Sequence, residues 1–157
     1  MNSGGPELVV FDAADVSPAV DLIRRFASPP NETRRWIQVE PIDVPDHVLP
    51  EVSGFLGRKK RADVPTFQII YTEPSERSEQ SVLNIEARGL AIADAARASG
   101  LEPPTGFAIG GNKHALLAAG DAGSEPEPLL RYAIQVVQAL LSGWSGRFEA
   151  LGVDSTG

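Results

Sequence analysis

The sequence predicts a single α/β domain: one layer of mixed β-sheet with helices on both faces. Short runs of β-branched and aromatic residues alternate along the chain with segments whose apolar residues recur at helical spacing. In addition, 42% of the 157 residues are apolar, which is enough to fill one core without disulfides or a structural metal. Another small α+β sandwich is the alternative architecture.

The first half of the chain predicts two strands joined by a helix. Residues 7–11 form a short run of β-branched and aromatic residues, and residues 35–40 alternate apolar and polar side chains, as expected of strands. Between them, Ser17 and Pro18 are suited to the N-cap and first turn of a helix. A short helical stretch is expected over residues 48–56.

The second half predicts a strand, a long helix, a hairpin and a final helix. Residues 64–72 have the most strand-like composition in the chain, and residues 79–99 show apolar residues at helical spacing. Residues 107–110 and 114–118 flank a Gly-Asn turn and are expected to pair as an antiparallel hairpin. Apolar residues then recur at intervals of four and three from 127 to 151, which predicts a helix.

The ordered domain is expected to span residues 1–152, and residues 153–157 are expected to be a disordered tail. Its core should consist of the inward-facing apolar side chains of each element. These are Val9, Phe11, Ile37, Val39, Phe67, Ile69, Ile85, Ile92, Phe107, Ile109, Val137 and Leu141.

Composition excludes several classes of chemistry. The chain has no cysteine, so it cannot use a thiolate nucleophile, a disulfide or a Cys-ligated metal. His47 and His114 lack the spacing of metal ligands, and no cofactor is expected. No apolar run is long enough to span a bilayer and no secretory signal is recognised, which predicts a cytoplasmic protein without a membrane partner.

Charge is distributed unevenly along the acidic chain. Residues 1–62 contain 8 Lys and Arg against 9 Asp and Glu, whereas residues 63–157 contain 6 against 12. A net charge of −7 opposes the phosphate backbone and therefore disfavours nucleic acid as a partner. It favours association with a basic surface.

One segment resembles a known family. Residues 103–111, Pro-Pro-Thr-Gly-Phe-Ala-Ile-Gly-Gly, are similar to the segment that follows the cis-proline of thioredoxin-like proteins, and Val64-Pro65-Thr66-Phe67 is a rival for the same role. The resemblance implies a mostly parallel sheet ending in an antiparallel hairpin, with a cis bond at Pro104 or Pro65. The Cys-x-x-Cys motif of that family is absent, so what it implies is a groove for extended peptides without redox activity.

Three groups of residues are candidates for binding a partner. Leu141, Trp144 and Phe148 belong to an apolar stripe on the last predicted helix that is wide enough to leave an exposed patch. Pro104 and Thr105 lie in the segment that resembles the peptide groove. The third group is the basic run Arg58, Lys59, Lys60 and Arg61, whose simplest interpretation is a solvated loop.

These features favour a non-catalytic protein-binding module, in the class of immunity or antitoxin proteins, chaperones and assembly adaptors. The expected partner is a protein, including a second copy of the chain. One alternative is a small-molecule-binding domain or enzyme with a pocket near Pro104 that uses His114, Arg35 or Asp12. The other is nucleic-acid contact through Arg58–Arg61, which would weaken steeply with salt.

Overall fold

The structure, a computed structural model, describes residues 7–29, 35–49, 51–53, 59–61, 63–73, 80–87, 90–112, 115–122 and 125–155. The strands are β1 (Glu7–Asp12), β2 (Arg35–Pro41), β3 (Glu51–Ser53), β4 (Lys59–Arg61), β5 (Thr66–Ile70), β6 (Ser81–Glu86), β7 (Phe107–Asn112), β8 (Ala115–Gly120) and β9 (Arg147–Asp154). The helices are α1 (Ser17–Arg25), α2 (Ile92–Ala98) and α3 (Glu127–Leu140), and Asp46–Val48 form a 3-10 turn.

Seven strands form one sheet in the order β1-β9-β2-β5-β6-β8-β7, and β3 pairs with β4 in a separate hairpin. All neighbouring strands in these two sheets are antiparallel, so the expectation of a mixed sheet is wrong for the described residues. Consecutive strands β5 and β6, and β7 and β8, are sheet neighbours, as short connections allow only in antiparallel pairs. The protein is thus an α/β protein on an open antiparallel sheet.

One face of this sheet is buried. Ile37 lies opposite Ile69, and Ile69 lies opposite Leu83; all three are at most 1% exposed. On the other face the neighbouring row runs through Gln38, Gln68 and Asn84, which are exposed or half-buried. Because the helix residues join the buried row in one core cluster, the described helices pack on this face. The expected helices on both faces are not observed in this part of the chain.

Helices α1 and α3 present continuous apolar stripes to the sheet. In α1 the buried residues are Ala19, Val20, Leu22 and Ile23, and α3 buries eight of its fourteen residues. Ahead of α1, hydrogen bonds from the Ser17 hydroxyl and amide hold the pKa of the Asp15 carboxyl below its ordinary value. None of the described helices combines the length and apolarity needed to cross a membrane.

The helix expected over residues 79–99 is wrong in its first half. Residues 81–86 form strand β6, in which Ser81, Leu83 and Ile85 are buried and alternate with more exposed residues. Among the described residues of this region only α2 is helical; it ends at Ala98, and Gly100, two residues later, has a φ of +71°. The helical and the alternating patterns both include Ile85, so the apolar spacing alone could not separate them.

The final predicted helix is also too long. Helix α3 ends at Leu140. Three residues later Gly143 has a φ of +80°, and its amide donates a 2.7 Å hydrogen bond to the Gln138 carbonyl. Residues 147–154 then form β9 between β1 and β2, so the strand continues two residues beyond the expected end of the ordered domain.

Other expectations had mixed outcomes. The predicted hairpin is confirmed, because β7 pairs antiparallel with β8. The helical stretch expected at 48–56 is wrong at residues 51–53, which form β3, and residues 54–56 lie outside the described residues. No cis peptide bond occurs among the described residues, which include Pro65 and Pro104, so the expected cis-proline is absent.

Most of the predicted core is confirmed. Nine of the twelve residues are buried, and Val9 and Phe107 pack against the core in part. The exception is Ile109, which is 41% exposed because β7 is the last strand of the sheet.

Candidate binding surface

Of the three aromatic and apolar residues predicted to bind a partner, two lie in the core and the third packs against it. Leu141 and Phe148 are fully buried. Trp144 is half-buried and packs edge-on against Phe148, with ring centroids 5.6 Å apart. Phe148 also stacks on Phe11 at 5.6 Å. The apolar arc of the last helix is therefore covered within the core, where α3 contacts α2 and strands β5 and β6.

The basic run is described only in part. Lys59, Lys60 and Arg61 form β4, and Arg61 lies opposite Glu51 of β3. Arg58 lies outside the described residues. Contact between this run and nucleic acid stays a prediction.

Pro104 and Thr105 line a cleft of about 340 Å³ at the start of β7, together with Phe107, Asp121, Glu125 and Leu129. Glu125 accepts a 3.0 Å hydrogen bond from the Arg24 guanidinium. Its carboxylate is thereby engaged by a cation of the protein itself.

The polar residues suggested for that pocket are placed elsewhere. The Asp12 carboxylate accepts hydrogen bonds from the amides of Ala14 and Asp15, at 2.9 and 3.0 Å. Arg35 pairs with Asp154 at 3.1 Å, and His114 lies outside the described residues. Neither Asp12 nor Arg35 lines the Pro104 cleft. The sequence-based assignment of these residues to one pocket is therefore wrong for Asp12 and Arg35.

The exposed face of the sheet is divided by polar side chains. Leu8 is 55% exposed near one edge, and Leu117 is 40% exposed near the other. Between them the Gln68 amide donates a 2.7 Å hydrogen bond to Gln38, and the Asn84 amide donates to Glu86 at 2.9 Å. This polar belt prevents the apolar residues from forming one continuous patch.

The other candidate surface is the outer edge of β7, which has no neighbour among the described strands and which we call the β7 edge. Its sequence, Phe-Ala-Ile-Gly-Gly-Asn, contains no charged residue and no proline. Residues 108–111 are all exposed. An edge strand presents unpaired N–H and C=O groups, and proteins usually protect it with charges, prolines or bulges. The residues of β7 supply no such charge or proline.

A groove runs along this edge. It has a volume of about 340 Å³ and lies between residues 109–111 and the α2 segment, which contributes Ala91, Ala93, Asp94 and Arg97. Asp94 and Arg97 form an ion pair of 3.3 Å, and their side chains are 75% and 77% exposed. We call this feature the α2–β7 groove. Where an extended segment adds to an edge strand, backbone hydrogen bonds supply affinity and a neighbouring groove receives alternate side chains.

The opposite edge of the sheet differs in character. Strand β1 begins with Glu7 and ends with Asp12. Glu7 forms a 2.9 Å ion pair with Arg25 of α1. Carboxylates at both ends of β1 give this edge the charged protection that β7 lacks.

The β7 edge was missed in the sequence because Ile109 was assigned to the core. Gly110 and Gly111 next to it were the available signal, since glycine in a strand often marks a close approach of another backbone. Among the described residues no group of three or more His, Asp or Glu side chains is placed to hold a metal.

Comparison with known proteins assigns no relationship. The chain matches no protein-family model, no curated protein and no solved structure.

Proposed function

We propose that this chain is a non-catalytic protein-binding module that takes an extended segment of a partner protein as a further strand on β7. The observation that supports this is the uncharged, exposed β7 edge beside the α2–β7 groove. Strand addition draws its affinity from main-chain hydrogen bonds and its specificity from side-chain contacts in the groove. Immunity proteins, chaperones and assembly adaptors remain the functional classes that the sequence favours.

The proposal does not depend on the thioredoxin-like resemblance. That resemblance stays a prediction from about ten positions around residues 103–111. Its peptide groove was expected at Pro104, whereas the β7 edge begins three residues later along the same segment. Both interpretations assign the binding of extended peptides to one region of the chain.

The test compares substitutions at the two edges of the sheet. Ile109→Lys places a charge on the β7 edge, and Val10→Lys places the same charge on β1 at a residue of similar exposure, 46% against 41%. Both are surface changes, so the free energy of unfolding should move by only about 0.5 kcal/mol. Tagged proteins are used to recover partners from the native source at physiological salt, and amide hydrogen exchange is measured on the purified complex.

We expect Ile109→Lys to lose a partner that the wild type and Val10→Lys retain. In the complex, the amides of β7 should exchange more slowly than in the free protein. Recovery of no partner, or equal recovery by all three proteins without protection of β7, would contradict the proposal.

A further inference from the structure

We infer that the strand that occupies the β7 edge is β7 of a second copy of this chain, so that the protein forms a twofold dimer through a continuous antiparallel sheet. This inference rests on the proposed function, because it names the partner of the same surface. It is supported by the charges that line the α2–β7 groove and by the residues that self-pairing would bring together.

Charge complementarity restricts where two copies can meet. The chain has a net charge of −7, so most of its surface repels another copy. The α2–β7 groove carries one acid and one base, Asp94 and Arg97, and β7 itself carries no charge. Two copies can therefore approach at this groove without the repulsion that the acidic surface imposes elsewhere.

A twofold interface must be complementary to itself, because each copy contributes the same patch. The groove meets this requirement, since Asp94 of one copy can pair with Arg97 of the other. Their present ion pair within α2 is exposed on both sides and contributes little to stability. Replacing the Asp94–Arg97 pair within each copy by two such pairs between the copies therefore costs little stability.

The residues of β7 also permit self-pairing. Residues directly opposite each other share a face of the sheet, so a twofold antiparallel pair centred on Gly110 sets Gly110 opposite Gly110, Ile109 opposite Gly111 and Ala108 opposite Asn112 of the second copy. The bulky Ile109 thus faces a glycine. The two glycines leave space for Ile109 and for close approach of the backbones.

The test is sedimentation equilibrium of the purified full chain, with charge substitutions in the groove. Arg97→Glu makes the groove acidic, and Asp94→Arg makes it basic, and both positions are exposed. The expected result is a wild-type dimer whose dissociation constant rises about tenfold or more in each single variant. The double variant Asp94→Arg/Arg97→Asp should restore dimerisation, because it restores an acid and a base on each copy.

Mixing the two single variants gives the sharpest readout. An equimolar mixture of Arg97→Glu and Asp94→Arg should form a heterodimer, although each variant alone is monomeric at the same concentration. Ile109→Lys should also dissociate the dimer, and Val10→Lys should leave it intact. Circular dichroism of each variant confirms that it remains folded.

Two results would overturn the inference: a wild-type chain that is monomeric at every accessible concentration, or a dimer that none of these substitutions weakens. If the monomeric chain still binds another protein through β7, as shown by loss with Ile109→Lys, the proposed function stands and only the second copy is excluded. If the chain is monomeric and no partner binds at β7, both the inference and the proposed function are overturned.

Discussion

The ring of Phe26, the residue that follows α1, lies over Gly152 of β9 and fills the space that a side chain at position 152 would occupy. A Cβ at Gly152 would be 2.5 to 2.7 Å from three carbon atoms of the ring. Gly152 is buried and lies opposite Ile37 on β2 and Glu7 on β1. The missing side chain therefore lets the end of α1 approach the centre of a three-strand segment of the sheet.

We expect Gly152→Ala to destabilise the protein by about 1–3 kcal/mol, because the added methyl group displaces the Phe26 ring in a packed core. Urea unfolding followed by circular dichroism measures the change. Gly110→Ala is the matched control, since that strand residue has no atom within 4 Å of an added Cβ and should not lose stability. Replacing Phe26 by leucine should reduce the effect of Gly152→Ala, and equal effects in both backgrounds would contradict the contact.

A second prediction concerns the buried hydroxyl of Ser28. It donates a 2.7 Å hydrogen bond to the Arg35 carbonyl and accepts one of 3.2 Å from the Arg35 amide. Ser28 is fully buried, so Ser28→Ala removes a partner from two backbone groups at the start of β2 and should cost about 1–3 kcal/mol. Thermal unfolding measures this loss.

The control for Ser28 is Ser145→Ala, which changes an exposed serine in the turn before β9. Its effect should stay within about 0.5 kcal/mol. If both substitutions change stability equally, the hydrogen bonds of Ser28 are not what holds the end of α1 to β2.

A third prediction follows from the two tyrosines of the chain. Tyr71 and Tyr132 are 5% and 4% exposed, and burial raises the pKa of each phenol above its ordinary value. The folded state therefore binds these protons more tightly than the unfolded state. Their contribution to stability is complete below the unfolded pKa of about 10, and is lost as pH rises from there through the folded pKa.

Titration of tyrosinate absorbance tests this directly, since the sequence contains no other tyrosine. The native protein should form tyrosinate only above pH 10, with unfolding shifting to lower temperature over the same range. Tyr132→Phe should remove one of the two ionisations and reduce the alkaline loss of stability. Ionisation of both phenols at the ordinary value in the folded protein would contradict the burial of these side chains.

Strands with one buried face were the most predictable elements. In β2 the alternation of apolar and polar residues indicates that Ile37 and Val39 are core residues, and in β5 the strand-like composition does so for Phe67 and Ile69; all four are buried. Alternation is a local property of the chain, because successive side chains of a strand point to opposite faces. The same property failed at β6, where Ile85 and Ile92 also fit a helical repeat across the boundary between β6 and α2.

The candidate binding surface was less predictable than the core. In the sequence, the apolar neighbours of Ile109 indicate a core residue, and the spacing around Phe148 indicates an exposed helical stripe. In the structure Ile109 is exposed and Phe148 is buried. Exposure depends on which elements cover a residue. For Ile109 that depends on β7 being an edge, and for Phe148 on β9 being inserted between two distant strands.

By itself the sequence determined the α/β character, the absence of thiol chemistry and most of the inward-facing residues, because composition and periodicity are local properties. Only the tertiary structure decided that the sheet is antiparallel and that its last strand lies between the first and the second. These features arise from pairings between residues far apart in sequence, such as Phe11 with Phe148, whose partners local patterns do not specify. The same pairings place β7 at the end of the described sheet, and so create the surface to which we propose to assign the function.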